Sequence, residues 1–222
     1  MRADIIVSYD GTPNDDDALA LGRALAADGV KLALAYVRHS REFDPRREEL
    51  AQHDAHRRLR VGQDLVDDHT ISTHVIFNAS TDGGLDRLAQ SESAKVIVFG
   101  SDYRTAPGRA EPGNTAQRLL EGGALAIAVA RAGLRTQLGT PIRRIAVSGA
   151  GAPQPAGATA AALAERLNAA VVERDQDPDL IVVGSALGAA PGRIALSGAT
   201  RSELNAVRGS VLVLPADTGL EL

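Results

Sequence analysis

Two strand-to-helix loops, written almost twice, are where any chemistry of this chain would sit. The first, Val96-Ile-Val-Phe-Gly-Ser-Asp-Tyr-Arg-Thr-Ala-Pro-Gly-Arg109, is matched ~84 residues later by Leu180-Ile-Val-Val-Gly-Ser-Ala-Leu-Gly-Ala-Ala-Pro-Gly-Arg193. Each is an apolar run ending in Gly-Ser, with Ala-Pro-Gly-Arg at the same offset. Each is followed by a small-residue turn, Gly113-Asn114-Thr115 or Gly198-Ala199-Thr200, that opens a helical pattern. Such a repeat implies two related units. Other chemical candidates are few. Asp10 ends the first apolar run, where its carboxylate would face the crevice at the strand ends; an Asx turn or helix cap is its plain structural role. Asp15, Asp16 and Asp17 at a helix start point in different directions, which suits the helix dipole better than a metal. His53 and His56 lie among Asp54, Arg57 and Arg58 without a third ligand, which fits a solvated helix face. Arg109 and Arg193 could reach a phosphate or simply stand in solvent. The absence of Cys excludes disulfides, thiolate metal sites and thiol catalysis. No Ser, His and acid combination forms a nucleophile arrangement, so the sequence makes no positive case for an enzyme.

The elements that must position these loops alternate strand with helix. Ile5-Ile-Val, Lys31–Val37, Thr73–Phe77, Val96–Phe99 and Leu125–Val129 are short apolar or β-rich runs bounded by turn signals. Between them lie helical patterns: one beginning at Pro13 and ending near Asp28-Gly29, one over Pro45–His69, one over Leu85–Ser91 and one over Thr115–Leu120. This order predicts βαβ units and a parallel sheet covered on both faces. Residues 131–142, with Gly133, Gly139 and Pro141, read as a linker. The pattern then restarts: Ile145–Pro153 aligns with Ile5–Pro13, so that Ala150 stands where the first unit has Asp10. Helix Ala158–Leu167 and strands Leu180–Val183 and Val211–Leu214 follow. The polar link Glu173–Asp179 is too short for an ordinary parallel crossover. Ala170–Val172 is therefore an antiparallel edge, a helix extension, or outside the sheet.

Composition agrees with this class. The 222 residues are 44% hydrophobic and 23% charged, with 3% aromatics and no Trp, so the core must be Ala, Val, Leu and Ile. That suits helices packed closely on a parallel sheet. A net charge of −4 and no long basic run speak against nucleic acid as a partner. No apolar run approaches ~20 residues, which speaks against a membrane span, and the expected location is cytoplasmic.

With Asp10-Gly11-Thr12, the second strand ending at Val37, and the loop from Gly100-Ser101 to Gly113, the chain resembles the universal stress protein family. The resemblance runs over residues 1–131 and, shortened, over 143–215. It implies a five-stranded parallel doubly wound α/β sheet of the adenine-nucleotide α-hydrolase-like kind, over 1–132. A truncated second α/β unit would span 141–222. It also implies ATP as ligand, with no metal beyond the Mg that accompanies a nucleotide. Asp10, Gly11 and Thr12 would sit beside the adenosine and Val37 against adenine, while Gly100, Ser101, Gly113, Asn114 and Thr115 would wrap ribose and phosphates. Glycines there let backbone N–H groups approach phosphate oxygens, and a following helix start adds donors.

The loop departs from the family's Gly-x2-Gly-x9-Gly-Ser/Thr pattern. Tyr103 stands where the family has Gly, so that a ring must fit where backbone meets phosphate. Asn114 takes the hydroxyl position, with Thr115 after it, and Pro107 and Pro112 stiffen the loop. In the second copy Gly184 and Gly188 are one residue too far apart, and Ala199 replaces the hydroxyl. Two function classes follow: an ATP-binding stress-response or signalling protein without catalytic activity, and a non-binding scaffold acting through protein contacts. Family members pair through their last strands, so Leu125–Val129 and Val211–Leu214 are expected to pair as an intramolecular pseudo-dimer, with a homodimer of the chain as further assembly.

Overall fold

Strands as short as β1 (Ile5–Ser8), β4 (Val96–Phe99), β5 (Ala126–Val129), β8 (Leu180–Val183) and β9 (Ser210–Val213) are stable only with both faces covered. The computed structural model, described over residues 2–26, 29–148, 154–206 and 208–222, covers them with helices on either side. The remaining elements are α1 (Pro13–Leu25), β2 (Leu32–Arg38), α2 (Pro45–Leu65), β3 (Ser72–Phe77), α3 (Thr81–Glu92), α4 (Asn114–Leu120), β6 (Arg144–Ser148), α5 (Gln154–Leu167), β7 (Ala170–Val171) and α6 (Gly198–Ala206). Strand alternation sends Ile5, Val7, Val96, Val98 and Ala128 to one face, against α1, α2 and α5. It sends Ile6, Ala33, Ile97, Phe99, Ile127 and Val129 to the other, against α3 and α4. Asp28 and the segment 149–153, which contains Ala150, lie outside the described residues.

All strands form one nine-stranded sheet in the order β3-β2-β1-β4-β5-β9-β8-β6-β7. The first five are mutually parallel. The order β7-β6-β8-β9 reproduces β2-β1-β4-β5 without a counterpart of β3. The halves meet where β5 runs antiparallel to β9, with Ile127 opposite Val213 and Val129 opposite Val211.

The repeated loops strap this seam from both sides. Gly209, just before β9, donates its N–H to the Gly108 carbonyl at 3.0 Å, while Ile194 of the second loop donates to the Gly123 carbonyl, just before β5, at 2.8 Å. Arg193 Nη1 adds a bond to the Gly122 carbonyl. Each Ala-Pro-Gly-Arg turn thus holds the entrance to the other half's last strand.

Two expectations are corrected. Ala170–Val171 is a parallel edge strand, opposite Arg144 and Ile145. A crossover needs roughly a dozen residues when it must climb back along a full strand, but β7 is only two residues long. The link need only pass beneath the start of β6, where the Asp179 carboxylate accepts from the N–H groups of Arg143 and Arg144, each at 2.9 Å. Residues 131–142 are also more than a linker. They contain a 3₁₀ turn, Leu134–Gln137, docked on α1. Asp17, 1% exposed, accepts from Gly133 N at 2.8 Å and Arg135 N at 2.7 Å, and pairs with Arg135 Nη1 at 2.9 Å.

Candidate functional site

Parallel strands deliver their carboxyl ends to one edge of the sheet, where the chain must turn into helices and a crevice opens. Here a crevice of about 440 Å³ lies between the ends of β1 and β4 and the starts of α1, α3 and α4. It brings together Asp10, Thr12, Gly100, Ser101, Gly113, Asn114 and Thr115, with Asn14, Asp15, Thr81, Asp102 and Tyr103 completing the wall. Gly11 and Val37 are not in that wall. Gly11, at φ +90°, turns its open side toward Arg58. Val37 is 7% exposed and packs against Gly84 of α3, whose absent Cβ would stand 3.0 Å from a Val37 methyl.

Several of these groups already have work within the chain. Asp10 Oδ1 accepts from Thr12 N at 3.1 Å, an Asx turn. Thr12 caps α1 and exchanges bonds with Asp15 in a capping box. Asp15 Oδ2 also accepts from Asp10 N at 2.9 Å. Gly100 is required by space: a Cβ there would lie 2.0 Å from the Asn14 carbonyl oxygen. The Ser101 hydroxyl, buried, donates to the Ala130 carbonyl at 2.7 Å and accepts from Glu111 N at 3.1 Å. Ser185 repeats this set with Leu214 and Ala195, at 2.8 and 3.1 Å. In both copies the Gly-Ser hydroxyl therefore serves to fold the loop. Gly113 differs: a Cβ there meets nothing within 4 Å, and it opens α4 without a side-chain cap.

Tyr103 lies in the crevice wall with its ring turned to solvent. It is 72% exposed at the rim, stacked on the Arg104 guanidinium at 4.8 Å, with Arg104 Nε donating to the phenol oxygen at 2.6 Å. Cation–π stacking and water access keep the ring outward. Asp102 in the wall went unremarked in the sequence; its place directly after Gly100-Ser101 was the available signal.

Electrostatically the crevice is acidic. Burial, then the hydrogen-bonded carboxyl and charge of Asp10, push the Asp15 carboxyl up to about 8. Burial and the bond to Asp16 push the Tyr9 phenol upward as well. An acid whose pKa is raised on folding keeps its proton in the native state after the unfolded chain has lost it, so this group's contribution to stability falls as pH rises from 3.8 toward about 8. Asp15→Asn retains an acceptor oxygen for the cap. Its melting temperature relative to wild type is therefore expected to rise steadily across that window; parallel melting curves for the two proteins at all pH values would refute this. Among the described residues, no group of three or more His, Cys, Asp or Glu side chains could hold a metal ion, and no helix is long and apolar enough to cross a membrane.

The matching place in the second half is a hollow of about 70 Å³ around Gly184, Ser185 and Gly188, well below ligand size. A larger hollow of about 510 Å³ lies over the seam beside α4 and α6 and shares Asp102, Gly113 and Asn114 with the crevice. The crevice remains the candidate site, because the residues singled out at the ends of β1 and β4 converge there.

Comparison with known proteins agrees with this architecture. The model of the universal stress protein family matches residues 1–131. A universal stress protein from Archaeoglobus fulgidus DSM 4304 superposes with TM-score 0.56 at 13% identity, covering 95% of this chain and 97% of that one. A candidate universal stress protein from Pseudomonas aeruginosa UCBPP-PA14 gives 0.62 at 15% identity, covering 97% and 94%. A functionally unknown protein from Pseudomonas aeruginosa PAO1 gives 0.58 at 13%, again covering 97% and 94%. These likenesses are of fold. No curated protein matches the sequence.

Proposed function

The chain belongs to the universal stress protein family, and from that premise we propose that it is a non-catalytic stress-response protein whose crevice binds the adenosine portion of an adenine nucleotide such as ATP. The observation carrying this reading is the convergence of Asp10, Thr12, Gly113, Asn114 and Thr115 on one crevice of about 440 Å³, within the size range of small-ligand sites. Asp10 and Asn114 offer acceptors for ribose hydroxyls, and open Gly113 lets a ligand approach the backbone. Residues 141–222 are then a truncated second copy that pairs with the first as a pseudo-dimer. The repeated strand order, the matching bonds of Ser101 and Ser185 and the β5–β9 pairing support this.

A scaffold without ligand is the second reading. It is favoured by one observation: Gly100 and Ser101 are committed to packing and loop closure, so the Gly-Ser signature persists without a ligand.

Calorimetric titration of the purified protein with ATP and with adenosine separates the two. Binding of either, weakened about tenfold or more by Asp10→Ala and by Gly113→Val, is the expected result. No heat from either ligand at near-millimolar concentration would leave the scaffold.

A further inference from the structure

The crevice has a neighbour, and the boundary between them is low. The hollow of about 510 Å³ over the seam shares Asp102, Gly113 and Asn114 with the crevice. Gly113 puts no side chain on that shared strip, and a Cβ placed there would meet nothing within 4 Å, so a ligand can pass over its backbone.

The two cavities differ in charge. Among the described residues, the crevice wall holds Asp10, Asp15 and Asp102 and neither Lys nor Arg. The seam hollow is lined by Arg109 and Arg201, over buried Val129, Val211 and Val213. Its acids are bonded within their own loop: Asp102 Oδ1 accepts from Arg104 N at 3.0 Å, and Glu111 Oε2 from the Thr105 hydroxyl at 3.4 Å. Among the described residues the Arg201 guanidinium has no hydrogen-bond or ion-pair partner.

Arg201 belongs to α6, in the second half, at the offset from Gln117 of α4 that relates Ser185 to Ser101. The two helices thus bring equivalent positions to the hollow, and only α6 brings a charge there. The second half's own hollow, about 70 Å³, is too small for a ligand. A cation that it presents at the seam is therefore placed to serve a ligand of the first half.

Resting on the crevice as the adenosine site, we infer that the nucleotide's phosphates cross Gly113 into the seam hollow, where Arg201 of the second half is their specificity-determining contact. A guanidinium binds phosphate oxygens through paired N–H donors, and the apolar floor limits screening by water. The Asn114 amide, shared by both cavities, can donate along the way. The truncated copy is then one part of a composite site.

The test is a set of titrations with adenosine, AMP and ATP, at low salt and without magnesium, on wild type, Arg201→Gln and Arg201→Lys. The side chain is exposed, so neither substitution disturbs the core. Wild type is expected to bind ATP about tenfold or more tighter than adenosine, with AMP between them. High salt should shrink that gain. Arg201→Gln should remove most of it while adenosine stays within about twofold of wild type, and Arg201→Lys should restore part. Inorganic tripolyphosphate should be displaced by ATP and not by adenosine. ATP no tighter than adenosine, a gain that Arg201→Gln leaves intact, or tripolyphosphate bound alongside ATP would overturn the inference and leave the crevice an adenine-nucleotide site. An equal loss for adenosine in Arg201→Gln would overturn it as well. Binding of none of the three nucleosides and nucleotides would overturn both readings.

Discussion

Gly100→Ala is expected to destabilise the protein by about 3 kcal/mol or more, while Gly113→Ala costs under about 1 kcal/mol. Both glycines border the same crevice and look alike in a glycine-rich loop. Their surroundings separate them. An added Cβ at Gly100 would lie 2.0 Å from the carbonyl oxygen and 2.5 Å from the carbonyl carbon of Asn14, so the first turn of α1 would have to lift from β4. That is main chain, which has no rotamer to swing aside. At Gly113 the same methyl enters open space, and the backbone there, φ −70°, suits any residue. Urea denaturation of the two variants checks this directly. A wild-type midpoint for Gly100→Ala would show that α1 does not sit against β4 as described.

Asp17→Ala is the second large effect, expected at about 2–4 kcal/mol, because it orphans two N–H groups together and removes the buried partner of an arginine that is itself 39% exposed. The carboxylate is 1% exposed and holds Gly133 N, Arg135 N and the Arg135 guanidinium at 2.7–2.9 Å. Losing it releases the 3₁₀ turn that leads from β5 into β6. Denaturation should therefore show lower stability, and trypsin should cut at Arg131 or Arg135 well before the rest of the chain. Continued protection of that segment would mean that other contacts hold it.

The alternation of β1 to β5 with helices was legible because each strand is a short apolar run closed by a turn, and burial on both faces demands nothing subtler. The start of α1 shows where legibility ended. Asp15, Asp16 and Asp17 read as one acidic cluster serving a dipole, and do point in different directions as expected. Their actual partners are the N-cap, the Tyr9 hydroxyl at 2.8 Å and the distant 3₁₀ turn. Nothing local distinguishes the buried one. Likewise Gly100-Ser101 carries its phosphate-loop appearance in the sequence, but its packing against Asn14 and its bond to Ala130 depend on segments far along the chain. The exposure of the Tyr103 ring and its stacking on Arg104 are also set by the folded loop, which no spacing rule records. β7 escaped a firm assignment for a different reason: two exposed residues have too little pattern to read.

The antiparallel join between β5 and β9 has a consequence for concentration. Both strands belong to one polypeptide, so the join closes at an effective concentration set by the connecting chain, and dilution does not loosen it. Among the described residues, it also leaves β3 and the two-residue β7 as the margins of the sheet. Lengthening of the sheet by another strand is thereby confined to one useful side, because a two-residue margin gives an incoming strand almost nothing to pair with.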